Sequence, residues 1–137
     1  YSYILTGDAN AELKIILGGA GGQYSSAGTF TSSAFDSGYT VSFNRFDPAF
    51  LQPSQTTIKF QVAVAAVAGG SCTGSTYSFI GPDNTSATYF ASGSAIPLLN
   101  SGSYQNPGRC FKYKTFFTSS DPNQTPELDS VTVNYSP

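Results

Sequence analysis

A chain of 137 residues is long enough for one domain with one core and short for two. Charged residues make up 10 % of it, against about 25 % in an average soluble domain, and the net charge is −2. Nucleic-acid phosphates need clusters of Lys and Arg, so no nucleic-acid partner is expected. Aromatic residues reach 15 %, which excludes a disordered polar chain.

Taken in chain order, Ile4-Leu5 and the alternating run that places Leu13, Ile15 and Leu17 on one side read as strand. The run is too short for a stable helix before Gly18-Gly19-Ala20-Gly21-Gly22. Residues 1–22 are therefore expected to be an N-terminal strand segment with a Gly-rich linker, and residues 23–137 a β-sandwich domain. The glycine run reads equally as a joint or as a long turn inside one domain. Two uses of the segment stay open. It could pair within its own domain, or donate its strand to a neighbouring copy, with Leu13, Ile15 and Leu17 filling pockets there.

The run from Gly28 to Gly38 reads as strand ending in an Asp36-Ser37-Gly38 turn. Tyr39-Thr40-Val41-Ser42-Phe43 and Ile58-Lys59-Phe60-Gln61-Val62-Ala63-Val64-Ala65 alternate as half-buried strands do. Tyr77-Ser78-Phe79-Ile80, Thr88-Tyr89-Phe90, Ala95-Ile96, residues 111–117 and residues 131–135 complete the set. Turn signals separate them: Asp47-Pro48, Gln52-Pro53, Gly69-Gly70, Gly81-Pro82-Asp83-Asn84, Ser92-Gly93, Asn106-Pro107-Gly108 and Asp121-Pro122. Short strands at this spacing predict an all-β, antiparallel two-sheet β-sandwich of jelly-roll type. The expected core is Phe30, Phe35, Val41, Phe43, Ile58, Phe60, Val62, Val64, Phe79, Phe90, Phe111, Tyr113, Phe117, Leu128, Val131 and Val133. Lys112 and Lys114 fall on one strand face, read as solvated.

Cys72 and Cys110 are the two cysteines, and there is no His, so a Zn site of the His/Cys type is excluded. The pair reads as a disulfide, against the alternative of two buried thiols. A disulfide implies an oxidising, extracellular compartment. No apolar run approaches the roughly 20 residues that span a bilayer, so membrane insertion by this chain is not expected.

The stretches from Gly28 to Gly38, Thr57 to Ala63, Phe79 to Phe90, Arg109 to Lys114 and Thr125 to Tyr135 resemble a jelly-roll module of prokaryotic cell-surface and minor-pilin-like proteins. Such modules are similar to galactose-binding-like and laminin-G-like sandwiches. The resemblance covers about residues 28–135, and departs at Cys110 and in the absence of Trp. It brings no catalytic residues. It implies a rigid displayed module on the cell surface, used for adhesion or glycan binding, with a surface glycan or protein receptor as partner. A structural role as the globular head of a filament, packed against copies of itself, is the alternative.

The chemistry-bearing residues agree with a non-enzyme. Without His, the Ser-His-Asp and Cys-His schemes are closed. Glu127 and Asp129 are a carboxylate pair of the kind glycosidases use, but Thr125-Pro126-Glu127-Leu128-Asp129 reads as strand entry with solvated acids. No cofactor is expected. Structural calcium is conceivable at Asp8-Ala9-Asn10 and Asp83-Asn84, but local turn chemistry accounts for these residues better. The candidate glycan site is Tyr104, Gln105, Asn106 and Arg109, with Asp83 and Asn84. It offers a ring for a sugar face, amides and a cationic donor. The competing reading of Tyr104 is a cover for the disulfide.

Overall fold

A computed structural model describes residues 2–4 and 23–137 of the chain. The Gly18–Gly22 run and the candidate strand-donating residues Leu13, Ile15 and Leu17 lie outside the described residues. Among those described, every regular element is a β-strand, and every strand pairing is antiparallel. The elements are β1 (Ser2–Ile4), β2 (Ala27–Thr31), β3 (Phe35–Leu51), β4 (Thr56–Ala65), β5 (Ser94–Ala95), β6 (Asn100–Ser101), β7 (Tyr104–Gln105), β8 (Gly108–Ser119) and β9 (Glu127–Ser136). The hydrogen-bonded path runs β1-β9-β3-β8-β2, with β4 on the other side of β8 and β5 on β3; β6 and β7 form a separate hairpin.

The long strand β3 organises this path. Its first part, Phe35 to Val41, lies along β8, and its second part, Ser42 to Leu51, lies along β9. Side chains from the two ladders meet in one core: Phe43 against Phe111 at 5.3 Å between ring centroids, Phe46 against Phe60 at 5.3 Å, and Phe50 against Phe60 at 5.6 Å. Val41, Val62, Val64, Val131 and Val133 close the gaps between these rings. Each such side chain contributes about 1.5–3 kcal/mol by leaving water.

Two bulges decide which residues are inside. The ladder between β3 and β9 slips by one residue after Phe43 and again after Ala49. A slip of one turns each following side chain to the other face. Phe43 and Phe46 are thus both fully buried although three apart, and so are Leu128 and Val131 on β9. Strict alternation from Phe43 misses Phe46. It also takes Phe79 for core where Ile80 is the buried residue, and it leaves out Ile96 and Tyr104.

Several expected boundaries are corrected. Asp36-Ser37-Gly38 does not end a strand. It is an irregularity inside β3, where Asp36 Oδ1 accepts the Gly38 N–H at 2.8 Å and Gly38 takes φ 86°, a backbone that a Cβ would oppose. Asp47-Pro48 also lies within β3, opposite Thr132 and Val131. β5 pairs with Arg45 and Phe46 only, so Pro48 follows where that edge of β3 opens and a missing N–H costs least. Tyr77 to Ile80 and Thr88 to Phe90 are single bridges rather than strands, Ile80 to Val62 and Phe90 to Phe60.

The excursion from residue 66 to residue 93 is tied down at several points. Cys72 and Cys110 form the expected disulfide, which closes a loop of 38 residues and in the chain-entropy picture contributes about 4 kcal/mol. Reciprocal backbone bonds of 2.8–3.0 Å join Phe60 to Phe90 and Val62 to Ile80. The buried Gln61 amide donates to the carbonyls of Ser86 and Thr88, both at 2.9 Å. These ties explain why β4 is buried along most of its length on both faces.

One core group lacks a partner. Thr115 Oγ1 on β8 is buried without a hydrogen bond, and its cross-strand neighbours are Phe30 and Phe60. An unmade bond of this kind costs about 1–3 kcal/mol. Thr115→Val should therefore raise the unfolding free energy by about 1 kcal/mol in urea titrations. A loss of similar size would show that the hydroxyl is bonded.

Candidate functional site

Where β3 leaves β8, the two strands part and a cleft of about 570 Å³ opens. Tyr39 and Thr40 come from the unpaired stretch of β3, Ala66 and Val67 follow β4, Asn100 and Gln105 face each other across the β6/β7 hairpin, and Pro107, Gly108 and Arg109 open β8. A Cβ at Gly108 would run into the carbonyls of Gln105 and Ala65 and the side chain of Val64. Only glycine lets β8 start so close to the end of β4.

The irregular stretch of β3 is held by one ion pair. Arg109 Nε donates to Asp36 Oδ1 at 2.6 Å and Arg109 Nη2 to Asp36 Oδ2 at 2.9 Å, a two-point contact. Ser37 Oγ adds a bond to the Arg109 carbonyl at 2.9 Å. The Arg109 hydrogen bond, helped by the Gly38 N–H, holds the Asp36 carboxyl below the ordinary aspartate value. At neutral pH it has no proton to give, and its oxygens are already engaged. The charges at this end of the cleft cancel. Tyr39, 53 % exposed, stands at the rim with its ring in water. The free groups are thus one aromatic face, the hydroxyl of Thr40 and the amides of Asn100 and Gln105. Such a set offers an apolar face and uncharged hydrogen-bonding groups side by side.

The expected site residues divide. Gln105 and Arg109 line the cleft. Tyr104 does not offer its ring: it is 2 % exposed, and its hydroxyl donates to the Pro97 carbonyl at 2.7 Å. Burial pushes that hydroxyl's pKa up. A ring in the core has no face for a sugar, so the stacking role expected of Tyr104 is withdrawn. Nor does it cover the disulfide, which packs with Ala65, Ala34, Val67 and Tyr77. Asn106 is 1 % exposed and spends its amide on backbone groups of Phe43 and Pro97. It is structural. Asp83 and Asn84 sit on a separate turn, outside the lining of the cleft, and Asp83 Oδ1 accepts from Thr85 N, Thr85 Oγ1 and Thr88 Oγ1. Those bonds lower the Asp83 pKa, that from Thr88 most, and account for this turn without an ion. Among the described residues no group of three or more His, Cys, Asp or Glu could hold a metal. Glu127 is half-buried and Asp129 exposed at the start of β9, with Leu128 buried between them.

Sequence reasoning missed Tyr39 and Asn100. Tyr39 shares parity with the buried Val41 and Phe43, and nothing in that alternation marks it as a binding residue. The irregularity after Asp36 turns it out, and the only local sign is Gly38 beside it. Asn100 carries no signal apart from the hairpin that places it.

At the other end of the chain, β1 pairs with β9 in its own molecule: Ser2 with Asn134, Tyr3 with Val133 and Ile4 with Thr132. These residues of the N-terminal segment are therefore a strand of the same sheet.

No known family model, curated protein or solved structure matches this chain.

The Asp36–Arg109 pair carries a pH signature. A carboxyl with a lowered folded-state pKa stabilises above its unfolded value of 3.8 and loses that stabilisation as pH falls through the folded value. Both side chains are partly exposed, so solvent screens the pair and the effect is expected to be small. Asp36→Asn should flatten the fall in melting temperature below the ordinary aspartate range and leave the rest of the acid limb as in the parent. An unchanged acid limb would show that the pair contributes nothing.

Proposed function

We propose that this chain is a non-catalytic, extracellular surface module, a two-sheet jelly-roll sandwich that binds a glycan in the cleft beneath Tyr39. The observation that carries the reading is the exposed Tyr39 ring beside Thr40, Asn100 and Gln105, over an ion pair whose charges cancel. A sugar presents an apolar C–H face and a rim of hydroxyls. Tyr39 matches the face, and the amides of Asn100 and Gln105, each with donors and an acceptor, match the rim. A neutral sugar suits the site better than an acidic one, because the Arg109 guanidinium is already committed to Asp36.

Three observations support the setting. The disulfide suits an oxidising compartment. The low content of charged residues is made up by Ser, Thr, Asn and Gln, as on displayed sheets. The strand β3 shares its length between two ladders whose side chains meet in one core, which is what a strand at the corner of a sandwich does.

A glycan array probed with the isolated chain should give a reproducible neutral-sugar hit. Tyr39→Ala should weaken binding to that sugar at least about tenfold, or 1.4 kcal/mol, with the fold intact by circular dichroism. No hit above background, or equal binding by the variant, would remove the proposal.

A further inference from the structure

On β8, Cys110, Lys112, Lys114, Phe116 and Thr118 alternate with the core residues Phe111, Tyr113, Thr115 and Phe117, and so turn to the opposite face of the strand. The register sets Lys59 of β4 opposite Phe116 on that face. Two rings from the 66–93 excursion lie over it. Lys112 Nζ is 4.5 Å from the centroid of Tyr77, Lys59 Nζ is 4.0 Å from that of Tyr89, and Lys114 Nζ is 5.3 Å from that of Phe116. Tyr89 and Phe116 meet edge to face at 5.0 Å.

The charge is one-sided. Among the described residues, Arg45 is paired with Asp47 and Arg109 with Asp36, while Lys59, Lys112 and Lys114 form no ion pair. On a chain of net charge −2, three uncompensated positive charges therefore collect on one sheet face. A ring face attracts an ammonium without neutralising it. The rings fix where the lysine heads sit, so an anion binding there meets donors already placed. The Cα positions of Lys112 and Lys59 are about 14 Å apart, four residues along the strands and one strand across. Lys114 lies between them. Three half-buried lysines thus follow one another along this face of β8 and β4, with the exposed Thr29 and Thr31 beside them on β2.

We infer that this face binds an anionic polysaccharide, a sugar chain carrying carboxylate or sulfate groups, at a site separate from the cleft under Tyr39. The lysines meet the acid groups and the threonines the sugar hydroxyls. Single-stranded nucleic acid also carries regularly spaced negative charge, but its binding draws on bare aromatic faces for base stacking. Here the ring faces turned to the lysines are occupied by ammonium groups.

The test uses dextran sulfate as the probe and uncharged dextran of the same length as its control, with affinity measured across a salt series. The parent should bind dextran sulfate and not dextran, with a slope of log K on log salt of about −2. K59Q/K112Q/K114Q should lose at least tenfold in affinity and most of that slope, while K59R/K112R/K114R keeps both. Tyr39→Ala should bind dextran sulfate as the parent does, which separates this site from the cleft. Equal binding by the glutamine variant, no binding by the parent, or tighter binding of single-stranded DNA than of dextran sulfate would each overturn the inference.

Discussion

At Phe43 the backbone of β3 is held on one side by a strand and on the other by a side chain. Its partner on β9 is Tyr135. Its N–H donates to Asn106 Oδ1 at 3.0 Å, and its carbonyl accepts from Asn106 Nδ2 at 2.8 Å. β3 has left β8 two residues earlier, at Val41 opposite Gly108. A strand that changes partners exposes backbone groups at the crossing, and in a dry core each unsatisfied group costs about 1–3 kcal/mol. The Asn106 amide has the donor and acceptor of a peptide unit and takes the place of the missing neighbour. The same Nδ2 also reaches the Pro97 carbonyl at 2.9 Å, where the Tyr104 hydroxyl arrives as well. Phe43, Pro97, Tyr104 and Asn106 thus form one buried polar knot inside the aromatic core.

Both candidate binding surfaces follow from that crossing and from β8. The cleft exists because β3 and β8 part next to the knot, and its Gln105 and Pro107 flank Asn106 in the chain. The cationic face exists because β8 continues past the crossing between β2 and β4. The disulfide at Cys110 lies between the two regions and anchors the excursion that carries Tyr77 and Tyr89. One rigid strand therefore positions a ring-and-amide cleft at one end and a row of lysines along its outer side. Such rigidity suits the proposed binding, since freezing mobile side chains on contact would cost affinity.

Much of this was legible in the sequence. The alternation in residues 111–117 and 131–135 located β8 and β9, the Lys112 and Lys114 pair fell on one face, and the two cysteines paired as read. The failures have common physical causes. Bulges invert parity, so the buried Phe46 is missing from the expected core, and neither bulge has a glycine at the slipped residue in the β3/β9 ladder to announce it. Asn106 precedes Pro107 and so looked like an ordinary turn residue. Nothing local shows that its amide will meet a strand 63 positions earlier in the chain. Tyr104 was misread for the same reason: a Tyr beside Gln and Asn looks exposed until the fold supplies a buried carbonyl for its hydroxyl.

Amide hydrogen exchange in the native state, read residue by residue in the parent and in Asn106→Leu, tests the crossing most directly. In the parent, the Phe43 amide should exchange as slowly as that of Val62, which donates to the Ile80 carbonyl. In the variant, global stability should fall by about 3 kcal/mol, and Phe43 should open at lower free energy than Val62. Unchanged protection of Phe43 relative to Val62, with global stability within about 0.5 kcal/mol of the parent, would contradict the role given to the Asn106 amide.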